Sequence, residues 1–398
     1  MLCDHITVRI AFVIPYFYPA FGYGGTPRLA YEMARALSRR GHQLTVLTTD
    51  AGGADRISAN DIQEAQHSGV DGMQVRYYRN LSNSLAYRHR IFFPLSLFRD
   101  IRQRLSEAEV IHVHDLRSFL SVAAHRAARA LRIPYVLSPH GGLPRMGKAP
   151  AKAVFDFLWG KDILRDAAAM CVVSPLEAKD AAAAGFNLSR IHLLPAAIDP
   201  NQYGGMTGRG VFASRWGIQN RRIILFLGRL HWIKGADILI EAMSRLYGLE
   251  DAHLVIAGAD DGAEDQLKSL VKLKRLEQSV TFTGFLDGTE KANALRDSSV
   301  VVLPSRREGF PITLLEALAT QTPVILTSAC DLGTWVQAQP GLISFRSEDV
   351  EDLSQKLTGI LCAPPDPKAM EEARNFVLKE FSSDAIAARA EVLYRSLL

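Results

Sequence analysis

Short, nearly all-apolar runs alternate along this chain with longer amphipathic ones. The apolar runs are Val8–Pro15, Leu44–Thr48, Val110–Val113, Tyr135–Ser138 and Met170–Val173. Amphipathic segments lie between them. Pro27–Arg40 places Leu29, Met33, Ala36 and Leu37 on one face, and Ser118–Leu131 repeats that period. Gly41 stops the first of these helices. Strands without in–out alternation are expected where helices cover both faces of a parallel sheet.

The pattern fades between Leu193 and Arg221, where Pro195, Pro200 and a glycine-rich tract fall. This reads as an interdomain linker. The series then restarts with strands at Ile223–Leu227, Leu254–Ala257, Val280–Thr283, Val300–Leu303 and Val324–Thr327. Helices are predicted at Ala236–Tyr247, near Gln266–Leu276, near Glu290–Asp297 and after Pro311. The fold class is α/β, with two tandem doubly wound domains over residues 1–200 and 201–380. In open α/β sheets, ligands bind at the carboxyl ends of the strands, so a cleft between the domains is expected.

At 398 residues the chain suits two domains, and its mean hydropathy of +0.02 suits a globular one. No apolar run approaches the ~18–20 residues of a membrane span. The start reads as a first strand and not as a signal peptide, since Asp4 replaces a basic n-region. The four cysteines are scattered, which fits a reducing cytosol and opposes a zinc site. Charge is uneven. Residues 1–200 hold 24 Lys and Arg against 17 Asp and Glu, and residues 201–398 hold 22 against 25. A basic first half points to an anionic partner, or to surface charge without one. No nucleic-acid-binding motif accompanies it.

Glu308 and Glu316 stand eight positions apart around a strand, a Gly309-Phe310-Pro311 turn and a helix start. Free backbone N–H groups at such a start suit a diphosphate, and the two carboxylates would accept from sugar and ribose hydroxyls. The plainer alternative is a loop charge and a surface helix residue. Gly228-Arg229 follows the first strand of the second half, and Lys234 closes the same loop before a helix, so two cations face another anion-ready terminus. In the first half, Gly22, Gly24 and Gly25 precede a helix. A dinucleotide-binding reading with Asp50 on the ribose fails, because Pro27 stands where the third glycine belongs. His140, before Gly141 and Gly142, ends a strand and is placed to hydrogen-bond a substrate. His112 and His114 lack a third metal ligand, and read as structural or substrate-lining. Asp115 and Ser174 also end strands and are candidates for the acceptor side. Tyr87–Phe98 mixes Arg88, His89 and Arg90 with aromatics, which fits either a membrane-surface contact or core packing.

Nearly the full length resembles the retaining glycosyltransferases of family 4, which have the GT-B architecture. The resemblance lies in LAYEMARALSRRGHQLTVLT, SPHGGLP, VVSPLEA, LPAAID, FLGRLHWIKGADILIEA, LVIAGADDG, VTFTGFL and LPSRREGFPITLLEALA, the last carrying the E-x7-E element. It implies that Glu308 holds donor-sugar hydroxyls and Glu316 the ribose, with Arg229 and Lys234 on the diphosphate. Backbone of Gly309 and Phe310 would approach sugar and phosphate, and Gly25 the phosphate. His140 would meet the hydroxymethyl region of the donor sugar, and Gly284 and Phe285 the base. Residues 381–398 are similar to the helix that crosses back onto the first domain in such enzymes. Two positions depart from the family pattern: Gln321 where glycine is common, and Thr334 where an acid is common.

These implications converge on transfer of a hexose-type sugar from a nucleotide diphosphate sugar to an acceptor hydroxyl, with retention and without a metal or cofactor. The basic first half and the 88–98 stretch point to a lipid-linked glycan at an anionic membrane face. A nucleotide-sugar epimerase or hydrolase on the same fold, and a non-catalytic nucleotide- or glycan-binding subunit, stay open.

Overall fold

A computed structural model describes residues 7–145, 149–204, 208–286, 288–330, 332 and 338–398. The chain forms two compact units. One runs to Ala196 and takes in Ser383–Leu398, and the other spans Ala197–Ser382.

The first unit holds a seven-stranded sheet in the order β3-β2-β1-β4-β5-β6-β7, with every described pairing parallel. Its strands are β1 (Arg9–Val13), β2 (Gln43–Thr49), β3 (Gln74–Tyr78), β4 (Val110–His114), β5 (Tyr135–Ser138), β6 (Ala169–Val172) and β7 (Ile191–Leu193). β1 lies between β2 and β4, with Ile10 facing Leu44 on one side and Val110 on the other. The central strands are buried throughout, as a sheet covered on both faces requires. The final helix, Ser383–Arg395, packs on the helix Gly25–Arg39. Arg40 clamps it through two bonds of 2.8 and 2.7 Å to Glu391 Oε2.

The second unit holds six parallel strands in the order β10-β9-β8-β11-β12-β13. They are β8 (Arg222–Leu227), β9 (Ala252–Ala257), β10 (Val280–Gly284), β11 (Val300–Leu303), β12 (Val324–Thr327) and β13 (Leu342–Phe345). The chain enters and leaves this unit side by side, with Ile198 N–H donating to Phe381 O at 2.9 Å.

Three strands have no counterpart in the sequence reading: β3, β7 and β13. All three lie at sheet edges, where half-exposure brings in polar residues and breaks the apolar run. The helix from Ala236 ends at Met243, and residues 244–247 turn through short bonds such as Arg245 N–H to Ala242 O. Thr334 lies outside the described residues.

Candidate functional site

In the second sheet the chain winds outward from β8 to β10, then returns to β11 beside β8. The order therefore reverses between β8 and β11, the kind of switch point at which open α/β sheets form ligand crevices. The loops that leave these two strands carry Arg229, Lys234 and Glu308. Each feeds a helix, Ala236–Met243 and Ile312–Ala319, and neither start has a side-chain cap. Backbone N–H groups at both starts thus lack the usual Ser, Thr or Asp acceptor. Gly235 lets the loops meet. It holds φ 70°, and a Cβ there would collide with the Pro304 carbonyl. Arg306 binds the loops together, donating from its backbone to Ile233 O at 2.8 Å and from its guanidinium to Trp232 O at 2.6 Å.

At this point Lys234 Nζ is ion-paired with Glu308 Oε2, which also accepts from Ser305 Oγ at 3.2 Å. Arg229 is paired with Asp261, from the loop after β9. Both cations remain partly exposed. Gly284 and Phe285 are exposed at the end of β10, whereas Phe310 is buried against Phe381. Pro311 is the N-cap residue of the Ile312 helix.

Glu316 is not a surface residue. It is 4% exposed, and its Oε1 accepts from Lys291 Nζ at 2.7 Å and Tyr203 Oη at 2.9 Å. A carboxylate buried this deeply requires a partner cation, and Lys291, itself 6% exposed, supplies it.

In the first unit, Gly24 (φ 107°) precedes the helix Gly25–Arg39, whose start also lacks a side-chain cap. Asp50 is committed elsewhere. Its carboxylate takes the Arg56 guanidinium and accepts from Asn80 N–H at 2.8 Å, so it ties two loops together.

His140 lies just past β5 with φ 49°, and Asp115 just past β4 with φ 73°. Left-handed non-glycine residues persist only where their surroundings fix them, and they concentrate at functional sites. The fixing groups are visible. Glu177 Oε1 accepts from Gly141 N–H and its Oε2 from Val173 N–H at 2.8 Å. Arg117 donates to the carbonyls of Gly142 and Leu143, and is held by Asp156 through bonds of 2.8 and 2.9 Å. The buried Glu177 carboxyl group thus grips the donor side of the His140 loop and the Arg117 cation its acceptor side. Burial raises the carboxyl pKa of Asp115 and that of Glu177 above the usual range. Ser174 is fully buried. Its Oγ accepts from Glu177 N–H at 3.2 Å, so the hydroxyl caps the helix Pro175–Ala183.

His114 Nδ1 meets His140 Nε2 at 2.9 Å, and His112 bridges Tyr394 Oη at 2.6 Å and Ser138 Oγ at 2.7 Å. The rings of His112 and His114 stack with centroids 4.2 Å apart. Burial pushes all three imidazoles down, His112 to about 3 and His140 to about 4, so they are neutral at pH 7. The strand pair His112 and His114 is a structural column, as one of its two readings had it.

Residues 212–385 match the family described as Glycosyl transferases group 1, and residues 23–202 match Glycosyltransferase Family 4. This chain belongs to the group 1 glycosyltransferases. Its architecture is GT-B, two parallel-sheet α/β units. Mannosylfructose-phosphate synthase of Agrobacterium fabrum is 29% identical over 76% of this chain and 71% of its own length. Glycogen synthase of Mycobacterium tuberculosis is 25% identical over 95% and 92%. Among solved structures, Anabaena HepE in complex with UDP and glucose superposes with a TM-score of 0.78 at 18% identity, covering 98% of this chain and all of that one. That likeness is one of fold.

In this glycosyltransferase the structure gathers Lys234 with Glu308, and sets Arg229 at the neighbouring strand end. It keeps Glu316 behind them in the helix interior. Sequence reading missed Lys291, Tyr203, Asp261, Glu177 and Arg117. Only Glu177 left a signal, as the fourth residue of Ser-Pro-Leu-Glu, a capping-box spacing. The others join positions far apart in the chain.

Proposed function

We propose that this glycosyltransferase moves a hexose-type sugar from a nucleotide diphosphate sugar to an acceptor hydroxyl, with retention at the anomeric carbon. The observation that carries the reading is the Lys234–Glu308 pair at the switch point of the second sheet, between two helix starts without side-chain caps. Arg229 and Lys234 take the diphosphate there. When a phosphate oxygen replaces Glu308 on Lys234, the Glu308 carboxylate becomes an acceptor for sugar hydroxyls. Glu316 receives the ribose, Gly284 and Phe285 the base, and Gly309 and Phe310 approach sugar and phosphate through their backbone. Gly25 approaches the phosphate and His140 the hydroxymethyl group of the sugar.

No carboxylate is set as a nucleophile by the described contacts, which suits a front-face reaction. The bond from anomeric carbon to diphosphate oxygen breaks, the acceptor oxygen bonds to that carbon on the same face, and the acceptor proton passes to the departing phosphate. Arg229, Lys234 and the helix starts stabilise the charge that develops on the diphosphate. In this reading they do so without a metal, and transfer persists in excess chelator.

The acceptor is read as a glycan, lipid-linked at an anionic membrane face, in cell-surface polysaccharide assembly. Leu85, Tyr87, Ile91, Leu95 and Phe98 are exposed beside the exposed Arg88 and Arg90, while Phe92 and Leu97 enter the core. Among the described residues no helix is long and apolar enough to cross a membrane. Retention of the protein in the soluble fraction during flotation with anionic liposomes at low salt removes the membrane part of the reading.

Calorimetric titration with UDP, GDP and ADP tests the donor class. Tight binding of one nucleotide, lost in Arg229→Ala/Lys234→Ala, is the expected result. Folded protein that binds none of them overturns it. Product analysis without acceptor separates transfer from epimerisation or hydrolysis.

A further inference from the structure

His114 and His140 do more than touch. Their ring planes lie within 6° and their centroids are 5.2 Å apart, a separation that exceeds the 2.9 Å N···N distance by about the two ring radii. The rings are therefore edge to edge in one plane, with the hydrogen bond along the line joining them. His114 is fully buried. His112 stacks over one face of it, and Phe12 packs against it with centroids 4.8 Å apart. His112 is itself anchored by Tyr394 and Ser138. On the other side, Glu177 and Arg117 fix the backbone that follows His140.

A neutral imidazole carries one N–H, so the shared bond uses a proton from one ring or the other. Burial holds both rings neutral at pH 7, with His140 pushed down to about 4. His114 Nε2 and His140 Nδ1 are buried and have no partner among the described residues. If His140 donated, the proton of His114 would sit on Nε2 as an orphaned N–H deep in the unit. If His114 donates, a bare lone pair is left there and the unpaired N–H falls on His140 Nδ1 instead. His114 is fully buried whereas His140 is partly exposed, so an N–H on His140 Nδ1 is the one a ligand can satisfy, and the second arrangement is favoured.

We propose that His114 is a positioning residue whose Nδ1–H donates to His140 Nε2 and so fixes His140 as the Nδ1–H tautomer, a donor to a hydroxyl oxygen of the donor sugar. The proposal rests on His140 meeting that sugar. The tautomer itself does not.

Imidazole ¹⁵N NMR of the full chain, labelled at histidine, reads the tautomer directly. The expected spectrum shows His140 protonated at Nδ1 and bare at Nε2. His114→Phe keeps a ring of similar shape and removes the bond. His140 should then lose its fixed tautomer, and kcat should fall about tenfold, the worth of roughly one hydrogen bond, with less change in donor KM. His114→Asn returns a donor near the Nδ1 position and should restore both readouts. Tyr394→Phe, which loses a bond to His112 only, should leave the tautomer of His140 unchanged. Protonation of His140 at Nε2 in the wild type overturns the proposal, as does a His114→Phe protein with unchanged tautomer and kcat. Wild-type transfer by His140→Ala would instead remove His140 from the donor site, and the tautomer assignment would still stand or fall on the wild-type spectrum.

Discussion

Lys291 Nζ lies 2.7 Å from Glu316 Oε1, and both side chains are less than a tenth exposed. Each charge is buried at a cost that the other, as counter-charge, offsets. Lys291→Met therefore leaves an uncompensated carboxylate in the second unit, and should destabilise it by roughly 3–5 kcal/mol. Tyr203→Phe removes a neutral donor to the same oxygen and should cost about 1 kcal/mol. Urea unfolding followed by tryptophan fluorescence checks both. Equal losses for the two variants would show that Glu316 does not depend on Lys291 for its charge.

Lys234 and Glu308 should fail in different ways. Lys234→Ala removes the cation that meets charge as the diphosphate leaves, a loss of about 10²–10³ in kcat by analogy with removing one oxyanion donor. Glu308→Gln keeps a hydrogen-bonding group but drops the ion pair with Lys234. It should bind nucleoside diphosphate at least as well as wild type, because the phosphate no longer competes with Glu308 for Lys234. Titration calorimetry with the preferred nucleotide, alongside steady-state rates, separates the two effects. Weaker nucleotide binding by Glu308→Gln would contradict a phosphate-for-carboxylate exchange.

The central strands and their following helices were legible because they depend on local pattern. β5, β11 and β12 begin and end where their apolar runs do. The residues at strand ends were legible too, since a loop between a strand and a helix start places them whatever the neighbours are. What reaches across the sheet was not. Lys291 pairs with Glu316 across 25 positions and Glu177 grips Gly141 across 36. No local period encodes such a contact. Glu316 shows the consequence. Its spacing from Glu308 flagged it, but its depth follows from the packing of the Gly288–Asp297 helix that carries Lys291.

Acid should weaken the first unit in a window that its depressed carboxylates do not share, although the raised carboxyls of Asp115 and Glu177 work against the loss. His112 and His140 have folded pKa values depressed to about 3 and about 4, below their ordinary 6.5. A depressed histidine contributes stability above pH 6.5 and loses it as pH falls toward its folded value. Asp156 and Glu391 are also depressed, but they release their contribution only below their ordinary carboxyl values, near pH 4. Between about pH 6.5 and 4.5 the decline belongs mainly to the histidines, His42 and His114 included, at up to about 1.4 kcal/mol per pH unit for each. The pH dependence of the urea midpoint measures it. His112→Gln should flatten the slope, and an unchanged slope would mean that His112 is not held neutral.

Gln321 ends the helix Ile312–Ala319 in a Schellman arrangement. Its N–H donates to Leu318 O at 3.0 Å, and Thr322 N–H donates to Ala317 O at 2.9 Å. That geometry requires a left-handed residue, and Gln321 accordingly holds φ 59°. A side chain there costs roughly 1–2 kcal/mol in backbone strain, which glycine avoids. Part of that gain is returned, because glycine has more freedom to lose on folding. Gln321→Gly should therefore stabilise the second unit by about 1 kcal/mol. In a unit of this size that corresponds to a rise of about 2–4 °C in Tm by calorimetry. The helix it terminates carries Glu316, so the substitution should leave the nucleotide affinity as it is. A fall in Tm would mean that the glutamine side chain makes up the strain through contacts of its own.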